Sequence, residues 1–241
     1  MNDSSIGSAH EMAIVTHKSF YAPSMDSNTF IVCGEDQGIF PEDVAVLYVG
    51  GDSLKSWADT CAELLKQWAV IDTSKADMTG FCQYKRQWLH LDMTEQEYFS
   101  LINDKKDIIV PPKLDLGCSV QTQYNACHPS WMLDEAVNAI LEANPEMENA
   151  VHSVLCRSWI YPHNMYIAYT DTLKDYMDWI KSVFSVINKR HCWHNSEDVK
   201  NTMAENGRPD YDIRCHAFLA ERLLNIYLEH YHFNCIEKEI R

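Results

Sequence analysis

Short apolar runs, each closed by a turn or a polar cluster, alternate with stretches of helical periodicity. That alternation restricts the chain to an α/β architecture. Ala13-Ile14-Val15-Thr16 runs into His17-Lys18, Thr29 to Cys33 into Gly34, and Val44 to Val49 into Gly50-Gly51. Met78 to Cys82 runs into Gln83-Tyr84-Lys85-Arg86, and Asp107 to Val110 into Pro111-Pro112. With Met165 to Ala168 these segments are predicted to be buried strands.

Between them, Leu54, Trp57, Ala58, Cys61, Leu64, Leu65 and Trp68 recur at helical spacing after the turn Gly51-Asp52-Ser53. Thr94-Glu95-Gln96-Glu97 has the form of a capping box. Leu133 to Leu141, Met147 to Leu155, Leu173 to Ile187 and Ala217 to Tyr227 are further amphipathic helices. The segment from Asn188 to Arg214 is polar and aperiodic and reads as a long loop or lid. Strands and helices alternate early and helices dominate late. The expectation is therefore one domain with an open, mostly parallel sheet flanked by helices and a helical C-terminal part.

The chain has 241 residues, 46% of them apolar, enough for a sizeable core. No run approaches the ~18 apolar residues of a membrane span. Met1 to Glu11 lacks a basic start and an apolar core. It reads as a disordered tail rather than a signal peptide, with the domain spanning 12–241. Nine cysteines, without a Cys-x-x-Cys, suit reduced thiols in a cytoplasmic protein. A net charge of −15 excludes nucleic acid as the natural partner. An anionic small ligand would need a local cluster of cations.

In open parallel sheets ligands bind beyond the carboxyl ends of the strands. The residues to examine there are Thr16, His17 and Lys18, the turn at Asp52, and Gln83, Tyr84, Lys85 and Arg86. Arg86 offers a fork of donors to a phosphate and Lys85 a point charge.

These segments resemble the polysaccharide-biosynthesis glycosyltransferases of the family named domain of unknown function 4422, over roughly residues 12 to 230. The likeness is carried by Thr16-His17-Lys18, by Gly51-Asp52-Ser53-Leu54 followed by Glu63-Leu64, and by Gly80-Phe81-Cys82-Gln83-Tyr84-Lys85-Arg86-Gln87-Trp88. It continues in Asp107 to Pro111, His163-Asn164-Met165-Tyr166-Ile167, and Phe218 to Leu223. Gln83 stands where the family has His, Lys85 where it has Arg, and Ser53 where it has Asn. These departures leave the donor sugar open and keep a degenerate glycan- or nucleotide-binding module as the alternative.

The resemblance implies a nucleotide-sugar-transferase-like fold. It also implies transfer of galactofuranose or another hexose from a nucleoside diphosphate, such as a uridine diphosphate sugar. The acceptor would be a glycan, free or lipid-linked, in capsule, exopolysaccharide or O-antigen synthesis. The enzyme would work in the cytoplasm or at the inner face of the membrane. Such chemistry develops charge on a departing diphosphate and needs a carboxylate base for the acceptor hydroxyl. The base candidates are Asp52 and Glu221. Thr16, His17, Lys18, Gln83, Tyr84, Lys85 and Arg86 would hold the donor. His163, Asn164 and Arg222 would hold the acceptor or a sugar.

Glu63 falls about 150° from the apolar stripe of its helix and faces either solvent or a cleft. The one Asp-x-Asp, Asp210-Tyr211-Asp212, lies in the late loop and reads as surface. A divalent metal is therefore allowed but not favoured, and cations are expected to stabilise the leaving group instead. The spacing of His191-Cys192-x-His194 and Cys127-His128 matches no standard zinc site.

Overall fold

The computed structural model describes residues 10–17, 20, 28–34, 40, 44–88, 95–205 and 208–240, with the side chains of residues 52–55 and 95 outside that description. Strands β1 (His10–Val15), β2 (Thr29–Gly34) and β3 (Val46–Val49) come first. Helices α1 (Asp52–Cys61) and α2 (Leu64–Thr73) follow, then β4 (Met78–Gln83), α3 (Glu95–Phe99), β5 (Asp107–Val110) and the short β6 (Leu114–Asp115). Next come α4 (Val120–Cys127), α5 (Ser130–Ala143), α6 (Glu148–Cys156), β7 (Trp159–Ile160) and β8 (Tyr166–Tyr169). The chain continues through α7 (Thr170–Arg190), α8 (Ser196–Ala204), α9 (Pro209–Asp212), α10 (Cys215–His230) and β9 (Asn234–Glu237).

Seven strands form one sheet in the order β3-β2-β1-β4-β8-β5-β9. β1, β2, β3 and β4 are mutually parallel, as are β5 and β9, while β8 runs antiparallel to both its neighbours. The expected mostly parallel α/β sheet is what the residues build. The chain moves outward from β1 through β2 to β3, then returns to place β4 on the other side of β1. That reversal opens a crevice beyond the carboxyl ends of β1 and β4.

The strands alternate strictly between two cores, as the pleat requires. Ala13, Val15, Phe81, Ile108, Val110, Tyr166 and Ala168 face the larger core, which α2, α5, α6, α7 and α10 close with residues such as Leu64, Ile140, Val154, Ile180 and Leu223. Met12, Ile14, Cys82, Ile109 and Ile167 face a smaller core closed by Trp88 and by Tyr98 and Phe99 of α3. Both faces of every inner strand are thus buried, which is why these strands read as continuous apolar runs.

Three expectations change. Residues 54–68 form two helices, because Ala62 takes a left-handed φ of 48° and breaks the ladder after Cys61. The segment 188–214 is folded where it is described: the Asn195 side chain caps α8 by accepting from the N–H groups of Glu197 and Asp198, and Trp193, Val199 and Met203 are buried. His10 and Glu11 belong to β1, and residues 1–9 lie outside the described residues. β9, which the sequence did not suggest, adds an edge strand beside β5. Among the described residues no helix is long and apolar enough to cross a membrane.

Gly80 sits in mid-β4, where an added Cβ would lie 2.7 Å from the Met12 terminal methyl carbon and 3.0 Å from Ile167 Cγ1. The Met12 tip can move, but Ile167 is fixed in β8. Gly80→Ala is expected to lower stability by about 1–3 kcal/mol in urea unfolding, the usual cost of overpacking.

His216 is fully buried between Trp57, Phe184 and Trp193, with its Nε2 3.0 Å from Asn188 Oδ1. Burial pushes its pKa down from 6.5 to about 3. Between those values the unfolded chain binds a proton that the folded chain refuses, so stability falls as the pH drops from 6.5 towards 3. His216 alone is expected to remove about 2 kcal/mol between pH 7.5 and pH 5. Unfolding of His216→Phe followed across that range should show a correspondingly shallower slope.

Candidate functional site

The crevice beyond β1 and β4 deepens into a cavity of about 620 Å³. Its sides come from the ends of β1 and β4, the α1–α2 junction, the entry to β8 and the start of α10. That size suits a small-molecule ligand.

Thr16, at the end of β1, is buried and donates its N–H to Val32 O at 2.9 Å. His17 beyond it is exposed and meets Tyr84 edge-on, with its Nε2 3.3 Å from the Tyr84 hydroxyl. Lys18 lies outside the described residues.

After β4 the chain makes a tight turn, in which Gln83 and Arg86 exchange backbone hydrogen bonds of 2.9 Å in both directions. The turn holds Lys85 at the surface and Arg86 half-buried, both on the cavity wall. Gln83, which stands in place of the family histidine, works at both ends of its amide. Its Nε2 donates to His163 O at 2.8 Å, and its Oε1 accepts from Arg86 Nη1 at 3.2 Å.

The antiparallel course of β8 explains how His163 and Asn164 reach this edge. A strand running against its neighbours begins where they end. Both residues are left-handed, with φ of 76° and 49°, a conformation that side chains other than glycine seldom adopt. The bend sends the two residues to two different carboxylates. The His163 N–H donates to Glu221 Oε1 at 3.0 Å, and Asn164 Nδ2 donates to Glu63 Oε1 at 2.9 Å. Asn164 itself is buried behind the wall, while His163, Glu63 and Glu221 line the cavity.

The electrostatics follow from that packing. Burial raises the Glu63 pKa above its ordinary value, and the nearby Glu221 charge adds to the effect, against the Asn164 hydrogen bond and Lys66. Burial lowers the pKa of Lys66, with Glu63 and Cys33 opposing. Burial, then the charge of Arg86, lowers the pKa of His163. Glu221 has both oxygens engaged, since Oε2 accepts from Arg222 Nη1 at 3.0 Å.

Arg222 lies behind Glu221 rather than on the cavity. It is buried over the Tyr124 ring, and it donates to Phe218 O at 2.9 Å and to Gln123 Oε1 at 2.6 Å. Asp52 opens α1, and its side chain is outside the described residues.

Four charged cavity residues were missed or undecided in the sequence: Asp59 of α1, Glu63, Lys66 and Arg214. Glu63 was placed by a helical wheel that assumed one unbroken helix, and the break at Ala62 re-aims it. Lys66 sits one turn further along α2, buried at 8% exposure. A charge inside Leu64-Leu65-Lys66-Gln67-Trp68 was its only signal. Arg214 comes from the segment read as a loop and lies against Tyr211 and Phe218.

The acids of the Asp-x-Asp part company. Asp210 is exposed and paired with Lys200 at 3.2 Å. Asp212 is buried, with its Oδ1 3.7 Å from His128 Nδ1. His191 sits in different surroundings, beside Trp131, Trp193 and Glu135. Among the described residues no group of three or more His, Cys, Asp or Glu is placed to hold a metal ion.

The fold that carries this cavity is a known one. A solved unliganded structure described as the WbbM bifunctional glycosyltransferase is similar over 96% of this chain, with a TM-score of 0.72 and 18% identity. The chain spans 45% of that protein, so the likeness concerns the fold of one part of it. No curated protein sequence matches. The model of the family described as Domain of unknown function (DUF4422) matches residues 11–232, nearly the whole length, and the chain belongs to that family.

Proposed function

We propose that the chain is a glycosyltransferase that moves a sugar from a nucleoside diphosphate to a hydroxyl of a glycan. The observation that carries this reading is the mixture of charges in one cavity. Lys66, Lys85, Arg86 and Arg214 line it together with Asp59, Glu63 and Glu221, in a protein of net charge −15. A cation cluster against that background is a site for a small anion, and adjacent carboxylates are the groups that activate a hydroxyl. The family's fold, shared with part of a bifunctional glycosyltransferase, supports the same reading.

Arg86 grips the diphosphate with its guanidinium, steered by Gln83. Lys66 contributes from the floor and Lys85 from the rim. As the bond to the sugar breaks, these fixed charges stabilise the departing oxygens with little rearrangement. Thr16, His17 and Tyr84 border the donor on the β1 side, and His163 borders the sugar. Asp52, at the first residue of α1, is a further candidate for the sugar. The donor in this reading is a uridine diphosphate sugar, galactofuranose or another hexose. The acceptor is a capsule, exopolysaccharide or O-antigen glycan, free or lipid-linked, met in the cytoplasm or at the inner face of the membrane.

Uridine diphosphate should bind the wild type in calorimetry. Arg86→Ala should weaken it by about 1.5–3 kcal/mol, the worth of a charged hydrogen-bond partner. Equal affinities would remove Arg86 from the site. Turnover of uridine diphosphate hexoses then separates an enzyme from a module that binds without reacting.

Because cations sit where the diphosphate lies, transfer is expected to survive EDTA and to fall steeply in Arg86→Ala. Loss of turnover in EDTA with rescue by Mn²⁺ would show that a metal carries the charge instead, since such ions are held by one or two carboxylates plus the phosphates.

A further inference from the structure

Two carboxylates share the cavity, and their hydrogen bonding differs in a way that assigns their roles. Glu221 is spoken for at both oxygens: Oε1 accepts from the His163 N–H at 3.0 Å, and Oε2 from the Arg222 guanidinium, also at 3.0 Å. Arg222 is buried and anchored in turn on Gln123 and Phe218, so this ion pair is a fixed part of α10. Both oxygens of Glu221 are thus committed to protein donors, one of them a buried guanidinium.

Glu63 is built differently. Asn164 Nδ2 holds Oε1 at 2.9 Å, and the carboxylate also accepts from its own backbone N–H, so both of its hydrogen bonds come from neutral donors. Among the described residues no basic side chain forms a salt bridge with Glu63, and the charge of Lys66, one turn along α2, lowers its pKa without pairing with it. The Asn164 amide fixes the rotamer of a carboxylate that lines the cavity. One bent dipeptide therefore orients both acids, neutralising neither. One acid is tied down by an arginine, and the other is held by neutral donors alone.

We propose that Glu63 is the catalytic base of this site and that Glu221 is a positioning residue, an assignment that rests on the glycosyltransferase reading. In the step, the acceptor O–H gives its proton to the Glu63 carboxylate. The acceptor oxygen forms a bond to the anomeric carbon of the donor. The bond from that carbon to the diphosphate oxygen breaks, and its electron pair leaves with the nucleoside diphosphate. Glu63 ends as a neutral acid held by Asn164, and the added negative charge rests on the diphosphate among Lys66, Lys85, Arg86 and Arg214. Glu221 holds the His163 backbone, and through it the bend that aims Asn164.

Besides burial, the groups that act on the Glu63 carboxyl are the Asn164 amide, its own backbone N–H, Glu221 on α10 and Lys66 on α2, while Cys61 on α1 and Tyr166 on β8 face it and have their own pKa values raised by its charge. Burial outweighs the attraction of Lys66, so the carboxyl loses its proton above the usual carboxylate range. The rate should therefore rise with pH on an acid limb placed higher than that of an ordinary glutamate.

The test compares Glu63→Gln, Glu63→Asp and Glu221→Gln with wild type, using uridine diphosphate hexoses as donors and uridine diphosphate binding as the control. The glutamine amide oxygen can still accept from Asn164, so Glu63→Gln should fold and bind uridine diphosphate as wild type does. Its kcat should fall about 10²- to 10⁴-fold, the range for a lost general base, and its acid limb should vanish. Glu63→Asp, pulled back by one methylene, should fall less and keep the limb. Glu221→Gln should keep the limb while its KM changes. Transfer by wild type with kcat retained in Glu63→Gln, or an acid limb that follows Glu221 instead, would overturn the assignment and leave the transferase reading standing. No transfer by wild type from any donor, with uridine diphosphate bound or not, would overturn the transferase reading and the role of Glu63 together.

Discussion

The site hangs on the hydrogen bonds of Asn164. Its backbone carbonyl accepts from Gln67 Nε2 at 2.8 Å, and its side-chain amide donates to Glu63 and, at 3.4 Å, to Ala217 O. Those partners belong to α2, to the residue just ahead of α2, and to α10. One buried residue at the entry of β8 thus ties the sheet to both helices that wall the cavity. The Tyr166 hydroxyl extends the chain by donating to Gln67 Oε1 at 2.7 Å. Each such bond is worth only about 1 kcal/mol net, but leaving a buried partner unmet costs more. Two consecutive left-handed residues cost of order 1 kcal/mol or more each. That strain persists because the network around it is satisfied nearly everywhere. The exception is Asn164 Oδ1, which is buried without a protein partner among the described residues. Strain concentrated where two acids are aimed is the pattern of a working site rather than of a packing accident.

The second constraint is the break at Ala62. Had residues 52–73 formed one straight helix, Glu63 would have pointed about 150° away from the apolar stripe. With φ of 48°, Ala62 ends α1 and starts α2 on a new phase. Glu63 and Lys66 then turn toward the strand ends, while Leu64 and Leu65 stay in the core. The same helix pair separates this cavity from a second hollow. Ala58 and Ala62 face the charged cavity, and Trp57 and Cys61, one residue earlier in each turn, face an aromatic one with His216.

Much of the sheet was legible because its inner strands are buried on both faces and so appear as unbroken apolar runs. Direction was not legible. Nothing in Met165 to Ala168 says that β8 runs backwards, yet that reversal alone carries His163-Asn164 to the reactive edge. The Ala62 break was hidden because Cys61-Ala62-Glu63-Leu64 contains neither glycine nor proline. α8 was hidden because its buried apolar side is narrow, with Val199 and Met203 as its buried hydrophobic residues. Its cap at Asn195 was present in the sequence and unread. Gln83 to Arg86, singled out as the end of a strand, do line the cavity, since position at the carboxyl edge is a property of topology and survives ignorance of side-chain detail. Lys66 and Glu63 depend on local backbone geometry and could not be placed without it.

The charge distribution joins these pieces. A protein of net charge −15 repels an anion at long range, but screening limits that field to about 8 Å at physiological ionic strength. Inside the crevice the ligand feels mainly what lines it. Lys66 is already dehydrated by its burial, so an arriving phosphate oxygen meets an ammonium that has little water to shed. That desolvation was met when the protein folded, with Glu63 as its electrostatic compensation. Glu63 in turn tolerates burial because Lys66 is near and Asn164 holds it. A departing diphosphate would draw Lys66 toward itself and weaken that compensation. This is the moment at which a proton on Glu63 becomes most favourable, and it is the moment at which the acceptor must lose one. In the proposed mechanism, leaving-group stabilisation and proton acceptance are therefore coupled through a single turn of α2, and neither residue would act as a separate contributor.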